Sequence, residues 1–138
     1  MTDRKRILAV DDDPITLRAL RQVLLHKGYE VQEAADGESA LEVLERESVD
    51  LIILDVALPG MSGFDVCRKI RGSDRNAEVP VIFLTVHGSV ADMKEGREAG
   101  SGLYLVKPVL TNKLLALVSS LLTTGAPLSR PKPDSGDD

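Results

Sequence analysis

Four consecutive apolar residues, Leu51, Ile52, Ile53 and Leu54, run straight into the carboxylate of Asp55, and Leu58, Pro59, Gly60 and a helix start at Ser62 follow. An unbroken apolar run of this length reads as a strand buried on both faces, as in a parallel sheet. The residue that ends such a strand emerges at the carboxyl edge of the sheet, where open α/β folds bind their ligands. Alone, Asp55 fits an ordinary strand-ending turn aspartate. The company it keeps points elsewhere.

The rest of the chain repeats the pattern. Residues 7–10 form a short apolar strand ending in Asp11, Asp12 and Asp13. Asp13 can cap a helix whose first position is Pro14, where the missing proline N–H costs nothing. Leu17, Leu20 and Leu24 then recur at helical spacing until Gly28 stops the run. Residues 29–33 give a second strand, and Asp36-Gly37 opens a helix with Ala40, Leu41 and Leu44 on one face. A helix over residues 63–71 follows the Asp55 strand. A fourth strand, VPVIFLT, ends at Thr85. Residues 89–100 are weakly helical, because Gly96 lies inside them at about 1 kcal/mol relative to alanine. Residues 103–106 form a fifth strand, then come Lys107-Pro108 and a last helix from 111 to about 123. Strands alternating with helices imply right-handed crossovers and a doubly wound five-stranded parallel sheet with helices on both faces, an α/β fold.

A chain of 138 residues suits one domain, able to bury about 68% of its unfolded surface without staples. Residues 1–124 are read as that domain. The proline-rich stretch GAPLSRPKPDSGDD, 125–138, reads as a disordered tail or linker. The net charge of −5 argues against a nucleic-acid surface in this segment. No apolar run approaches the roughly 20 residues that span a bilayer, and the start MTDRKRI has no signal-peptide core, so a cytoplasmic location is expected. Cys67 is the only cysteine, which excludes an internal disulfide or a cysteine-rich zinc site.

Strand ends carry the chemistry: Asp11 and Asp12 from the first, Asp55 from the third, Thr85 from the fourth and Lys107 from the fifth. Two carboxylates about 4 Å apart repel by roughly 4 kcal/mol at an effective dielectric of about 20. Three together would consume much of a typical stability of about 5–15 kcal/mol. Either one is protonated or a cation sits among them. An open, all-oxygen cluster favours Mg²⁺, which keeps waters and accepts phosphate oxygens. A hydroxyl and an ammonium opposite such a cluster complete a phosphoryl-binding set, and a carboxylate can attack phosphorus to give an aspartyl phosphate.

The segments LAVDDDP (8–14), LDVALPGMSG (54–63), FLT (83–85) and YLVKPV (104–109) together resemble the receiver domain of two-component response regulators, the CheY-like family. The resemblance covers residues 5 to about 123. It implies the flavodoxin-like strand order 2-1-3-4-5 and Asp55 as the phosphoacceptor. It also implies Mg²⁺ held by Asp12, Asp55 and the Ala57 backbone carbonyl, with Asp11 assisting through water. Thr85 would hydrogen-bond the phosphoryl group, Lys107 would pair with it, and Tyr104 matches an aromatic switch position that follows Thr85. A cis bond at Lys107-Pro108 is implied as well. The partners implied are a histidine kinase or phosphotransfer protein as donor, and a downstream protein or second copy on the helix 4–strand 5–helix 5 side. No turnover of an external substrate is expected beyond self-phosphorylation and autodephosphorylation. Two positions depart from the pattern. Val86 stands where the family has Ala or Gly, implying slower phosphoryl access or dephosphorylation, and Ser101, Gly102 and Leu103 replace a more polar alanine-aspartate pattern beside the switch.

Other residues invite weaker readings. His26 suits a helix C-terminal cation, and His87, two residues past Thr85, is a candidate for tuning the pocket. Leu114, Leu117, Val118 and Leu121 form the core stripe of the last helix, with Leu115 and Leu122 outside it. That width fits deep packing or a partner surface. Two alternatives compete with a phosphorylated switch. A haloacid-dehalogenase-like phosphatase also uses a strand-one aspartate pair, a threonine and a lysine, but it needs a later acidic motif. No Asp or Glu lies between Lys107 and Asp134. A pseudo-receiver would keep the fold as an unphosphorylated interaction module.

Overall fold

The computed structural model describes residues 4–86 and 89–123. His87 and the proline-rich 125–138 stretch lie outside the described residues, so the readings made of them stay with the sequence. Five strands, β1 (Arg6–Val10), β2 (Glu30–Ala34), β3 (Leu51–Asp55), β4 (Val81–Thr85) and β5 (Leu103–Val106), alternate with α1 (Pro14–His26), α2 (Gly37–Arg46), α3 (Gly63–Arg71), α4 (Val90–Ala99) and α5 (Thr111–Thr123). All strand pairs are parallel, in the order β2-β1-β3-β4-β5. This is the doubly wound, flavodoxin-like arrangement. No described helix is long and apolar enough to cross a membrane.

Strand periodicity sorts the side chains into two layers. Leu8, Val10, Ile52, Leu54, Val81 and Phe83 face α2, α3 and α4. Ile7, Ala9, Leu51, Ile53, Ile82 and Leu84 face α1 and α5. β3 and β4 are buried along their whole length, which explains why their sequences are continuously apolar instead of alternating.

Local signals set the helix ends. Asp13 accepts from the Ile15 amide at 3.1 Å and from the Thr16 hydroxyl at 2.9 Å, with Pro14 opening α1. Asp36, Ser62 and Ser89 cap α2, α3 and α4 through the amides of Ser39, Asp65 and Asp92. His26 is the last residue of α1, at the helix C-terminus where the sequence reading put it. The sequence reading of α5 needs one correction: Leu122 is buried, and Leu115 is half-buried against the same core. At 100° per residue the arc from Leu117 to Leu115 is about 160°. These residues share one core with α1 and the sheet, so the broad apolar face of α5 is packing surface.

Candidate functional site

The parallel register delivers Asp11, Asp55 and Lys107 to one end of the sheet. Asp55 closes β3, Asp11 follows β1 and Lys107 follows β5, and each continues the alternation that faces α1 and α5. Thr85 ends β4 on the opposite parity, sharing the face of Phe83 and Tyr104. Acid and lysine tips thus meet above the α1–α5 layer, and threonine and tyrosine line the α4 side.

Carboxylate oxygens of Asp11, Asp12 and Asp55 all lie within 4.8 Å of one another. Asp11 is fully buried, Asp55 nearly so, and Asp12 is exposed. Asp11 Oδ1 accepts from the Asp13 amide at 2.9 Å, so the α1 cap also orients the buried acid. Asp11 Oδ2 meets Lys107 Nζ at 2.8 Å as a charge contact without an aligned hydrogen bond. Asp55 Oδ1 accepts from the Ala57 amide at 3.2 Å, and its Oδ2 lies 3.3 Å from Lys107 Nζ. Burial pushes the Asp55 carboxyl above its ordinary value of 3.8, and the negative charge of Asp11 adds to this. The Ala57 amide and Lys107 oppose both. Burial disfavours the Lys107 charge too, yet its close pairing with the Asp11 and Asp55 carboxylates prevails and holds the ammonium above 10.5.

Backbone contacts fix the loops around this cluster. The Gly63 amide donates to Val56 O at 2.8 Å, closing the β3–α3 loop over Asp55. A methyl built on Gly63 would overlap the Asp55 carbonyl and come within 2.9 Å of Val56 Cα, so α3 can start this close only on a glycine. The Lys107 amide donates to Thr85 O at 2.8 Å, which couples the lysine to the end of β4, and the Lys107-Pro108 bond is cis. Thr85 is buried, and Val86 beside it is 62% exposed at the rim.

The donor set fits a hard divalent cation. It is all oxygen, it includes an exposed carboxylate open to further ligands, and it carries excess negative charge against one ammonium. Of the residues singled out in the sequence, Asp11, Asp12, Asp55 and Lys107 come together directly. Tyr104 does not reach the cluster: its ring packs on Phe83 at 5.3 Å and its hydroxyl donates to Asp92 O at 2.7 Å. Two contributions were not foreseen in the sequence, where Gly96 was read only as a weakness of its helix and Arg71 was not singled out. Gly96 leaves room for that ring, since a methyl there would overlap the Tyr104 hydroxyl. Arg71 reaches one main-chain carbonyl at the α4–β5 turn, Gly100 O, and two in the segment leading into β4, Ala77 O and Val79 O. The Gly96–Tyr104 spacing was visible in the sequence, but nothing local to Arg71 signals its targets.

Comparison with known proteins gives a consistent picture. Residues 7–119 match the family described as response regulator receiver domain. Over 129 residues the chain is 40% identical to response regulator MprA of Mycobacterium leprae, covering 94% of this chain and 53% of that protein. The chain thus spans about half the length of that curated relative. The chemotaxis protein CheY4 of Vibrio cholerae superimposes with a TM-score of 0.83 at 34% identity, covering 86% of this chain and 99% of that one. The receiver domain of a Pseudomonas aeruginosa sensor histidine kinase, solved with a magnesium ion coordinated in its active site cleft, gives 0.81 at 30% identity, covering 88% and 99%.

Proposed function

The chain belongs to the response regulator receiver domain family, and on that premise we propose that Asp55 accepts a phosphoryl group from a phosphohistidine on a partner histidine kinase or phosphotransfer protein. A carboxylate oxygen of Asp55 forms the new O–P bond as the N–P bond breaks, its electron pair returning to the imidazole nitrogen. The observation that carries this reading is the convergence of Asp55 with two further carboxylates and the Lys107 ammonium at one sheet edge.

Each neighbour has a role set by its position. Lys107, 3.3 Å from Asp55, is placed to pair with the added phosphoryl oxygens, and in the unmodified protein it offsets the Asp11 charge. Lys107 also favours the ionised, nucleophilic form of Asp55 against the burial that opposes it. Asp12, Asp55 and the Ala57 carbonyl are the proposed holders of Mg²⁺, with Asp11 behind them. When bound, Mg²⁺ supplies charge neutralisation at the transferring phosphoryl group. Thr85 is the proposed hydroxyl donor to that group, and its shared face with Phe83 and Tyr104 gives the modification a route to α4. The output is a change in affinity of the α4–β5–α5 side for a downstream protein or a second copy.

The test is chemical. Acetyl phosphate with Mg²⁺ is expected to label the wild type and leave Asp55→Asn unlabelled; equal labelling of the two would refute Asp55 as acceptor. The intact Asp11, Asp12, Asp55, Thr85 and Lys107 set favours this reading over an unphosphorylated interaction module, which would show no saturable Mg²⁺ binding at these carboxylates.

A further inference from the structure

Helix α4 has little apolar surface to hold it. Among its described side chains only Gly96 and Ala99 are buried, both in its second half, while Met93 is 37% exposed. Helices of a packed domain are ordinarily held by an apolar stripe; α4 depends on polar fastenings, and these are unevenly placed. At its C-terminal end the Gly100 amide returns to Gly96 O at 2.9 Å and Arg97 O at 3.1 Å, and the Ser101 amide to Gly96 O at 2.9 Å. Arg71, the last residue of α3, sends Nε to Gly100 O at 3.0 Å and Nη1 to Val79 O at 2.6 Å and Ala77 O at 3.3 Å. One rigid guanidinium thereby joins the α4–β5 turn to the segment leading into β4. The Ser101 hydroxyl donates to Val81 O at the start of β4, adding a second staple. Gly100, at φ +125°, fits this arrangement twice over, because a side chain there would also run into the Arg71 stem.

The other end is held more loosely. Beyond the local Ser89 cap, the described residues give it the Tyr104 hydroxyl bond to Asp92 O and the Arg68–Glu95 ion pair at 3.2 Å. That pair is 42% and 46% exposed and is screened by solvent.

We infer that Arg71 is a positioning residue that pins the C-terminal end of α4, so that a rearrangement starting at Asp55 and Thr85 swings the N-terminal half of α4 about the Gly100–Ser101 turn instead of shifting the whole helix. The direction of the switch rests on the phosphorylation reading above; the pin does not. Hinges of this kind are a few element-terminal residues that absorb the backbone change.

Residue-resolved amide hydrogen exchange on the full chain tests it, with and without beryllofluoride plus Mg²⁺ as a stand-in for the aspartyl phosphate. In the wild type, the Lys94 and Glu95 amides are expected to change by about tenfold on beryllofluoride addition, with Gly100 and Ser101 within about twofold. Equal changes at both ends would overturn the hinge. In Arg71→Gln without any additive, Gly100 and Ser101 are expected to exchange about tenfold faster, with the β1 and β3 amides at wild-type rates. Unchanged rates at Gly100 and Ser101 would overturn the pin. If Arg71→Gln loosens β1 and β3 as well, Ser101→Ala decides: faster exchange confined to Gly100, Ser101 and Leu103 supports a stapled turn, and no change refutes it. If beryllofluoride perturbs no amide near Asp55, the phosphorylation reading fails, while the Arg71→Gln comparison still decides the pin.

Discussion

Removing the proposed acceptor should stabilise the metal-free protein. In Asp55→Asn three electrostatic effects change together. Repulsion from Asp11, whose oxygen lies within 4.8 Å, is lost and amounts to at least about 3.5 kcal/mol at an effective dielectric of about 20. Repulsion from exposed Asp12 is lost too, but solvent screening cuts it to roughly half of that. Attraction to Lys107 at 3.3 Å, about 5 kcal/mol on the same scale, is lost in the other direction. These nearly cancel, so the burial of the Asp55 charge, the largest cause of its raised pKa, decides the sign. A net gain of about 1–2 kcal/mol is expected. With a urea slope of about 1–3 kcal/mol per molar, the unfolding midpoint of Asp55→Asn in chelator at neutral pH should rise by about 1 M. The pH dependence follows. Because the folded-state pKa is raised above 3.8, the folded protein holds the Asp55 proton more tightly than the unfolded chain does. Wild-type stability from this group is therefore fully present below 3.8 and lost as pH rises through the raised value. The advantage of Asp55→Asn is full above that window and fades on acidification. Mg²⁺ should narrow the gap by stabilising the wild type through binding. A variant less stable than wild type in chelator would refute the account of the cluster.

Lys107→Met leaves Asp11 buried beside Asp55 without its cation. A loss of about 3 kcal/mol is expected in urea melts, reduced somewhat by the partial exposure of Lys107. Gly96→Ala drives a methyl into the Tyr104 hydroxyl and should cost about 1–3 kcal/mol. Tyr104→Phe, which only forgoes the bond to Asp92 O, should cost about 1 kcal/mol, and the double variant should recover part of the Gly96→Ala loss in thermal melts. Val86→Ala removes a side chain that is 62% exposed, so stability should stay within about 0.5 kcal/mol. The phosphorylated form should decay faster than wild type when followed by loss of label.

Much of this molecule was legible in the sequence because its decisive features are local. An apolar run followed by a charge marks a buried strand and its exit, and three such exits place Asp11, Asp12, Asp55 and Lys107 at one edge from the sequence alone. Caps at Asp13, Asp36 and Ser62 were equally local. What escaped the sequence depends on distant partners. Arg71 meets Gly100 29 residues away, and buried Asn76 donates to Leu44 O across 32 residues. Gly96 looked like a weakness of α4 until the Tyr104 ring was seen to occupy the space it leaves. Leu122 fell outside the core stripe read from the sequence, because the width of the buried arc on α5 depends on the tertiary packing of the helix. The departure at Ser101 has a structural use as a staple to β4.

The most direct test is to locate the modification chemically. Protein treated with acetyl phosphate and Mg²⁺, then reduced with borohydride, should carry homoserine at position 55 and at no other aspartate, because only an acyl phosphate is converted from carboxyl to alcohol. Peptide mass mapping that finds residue 55 unaltered, or finds the product at Asp11 or Asp12, contradicts the assignment of Asp55 as acceptor.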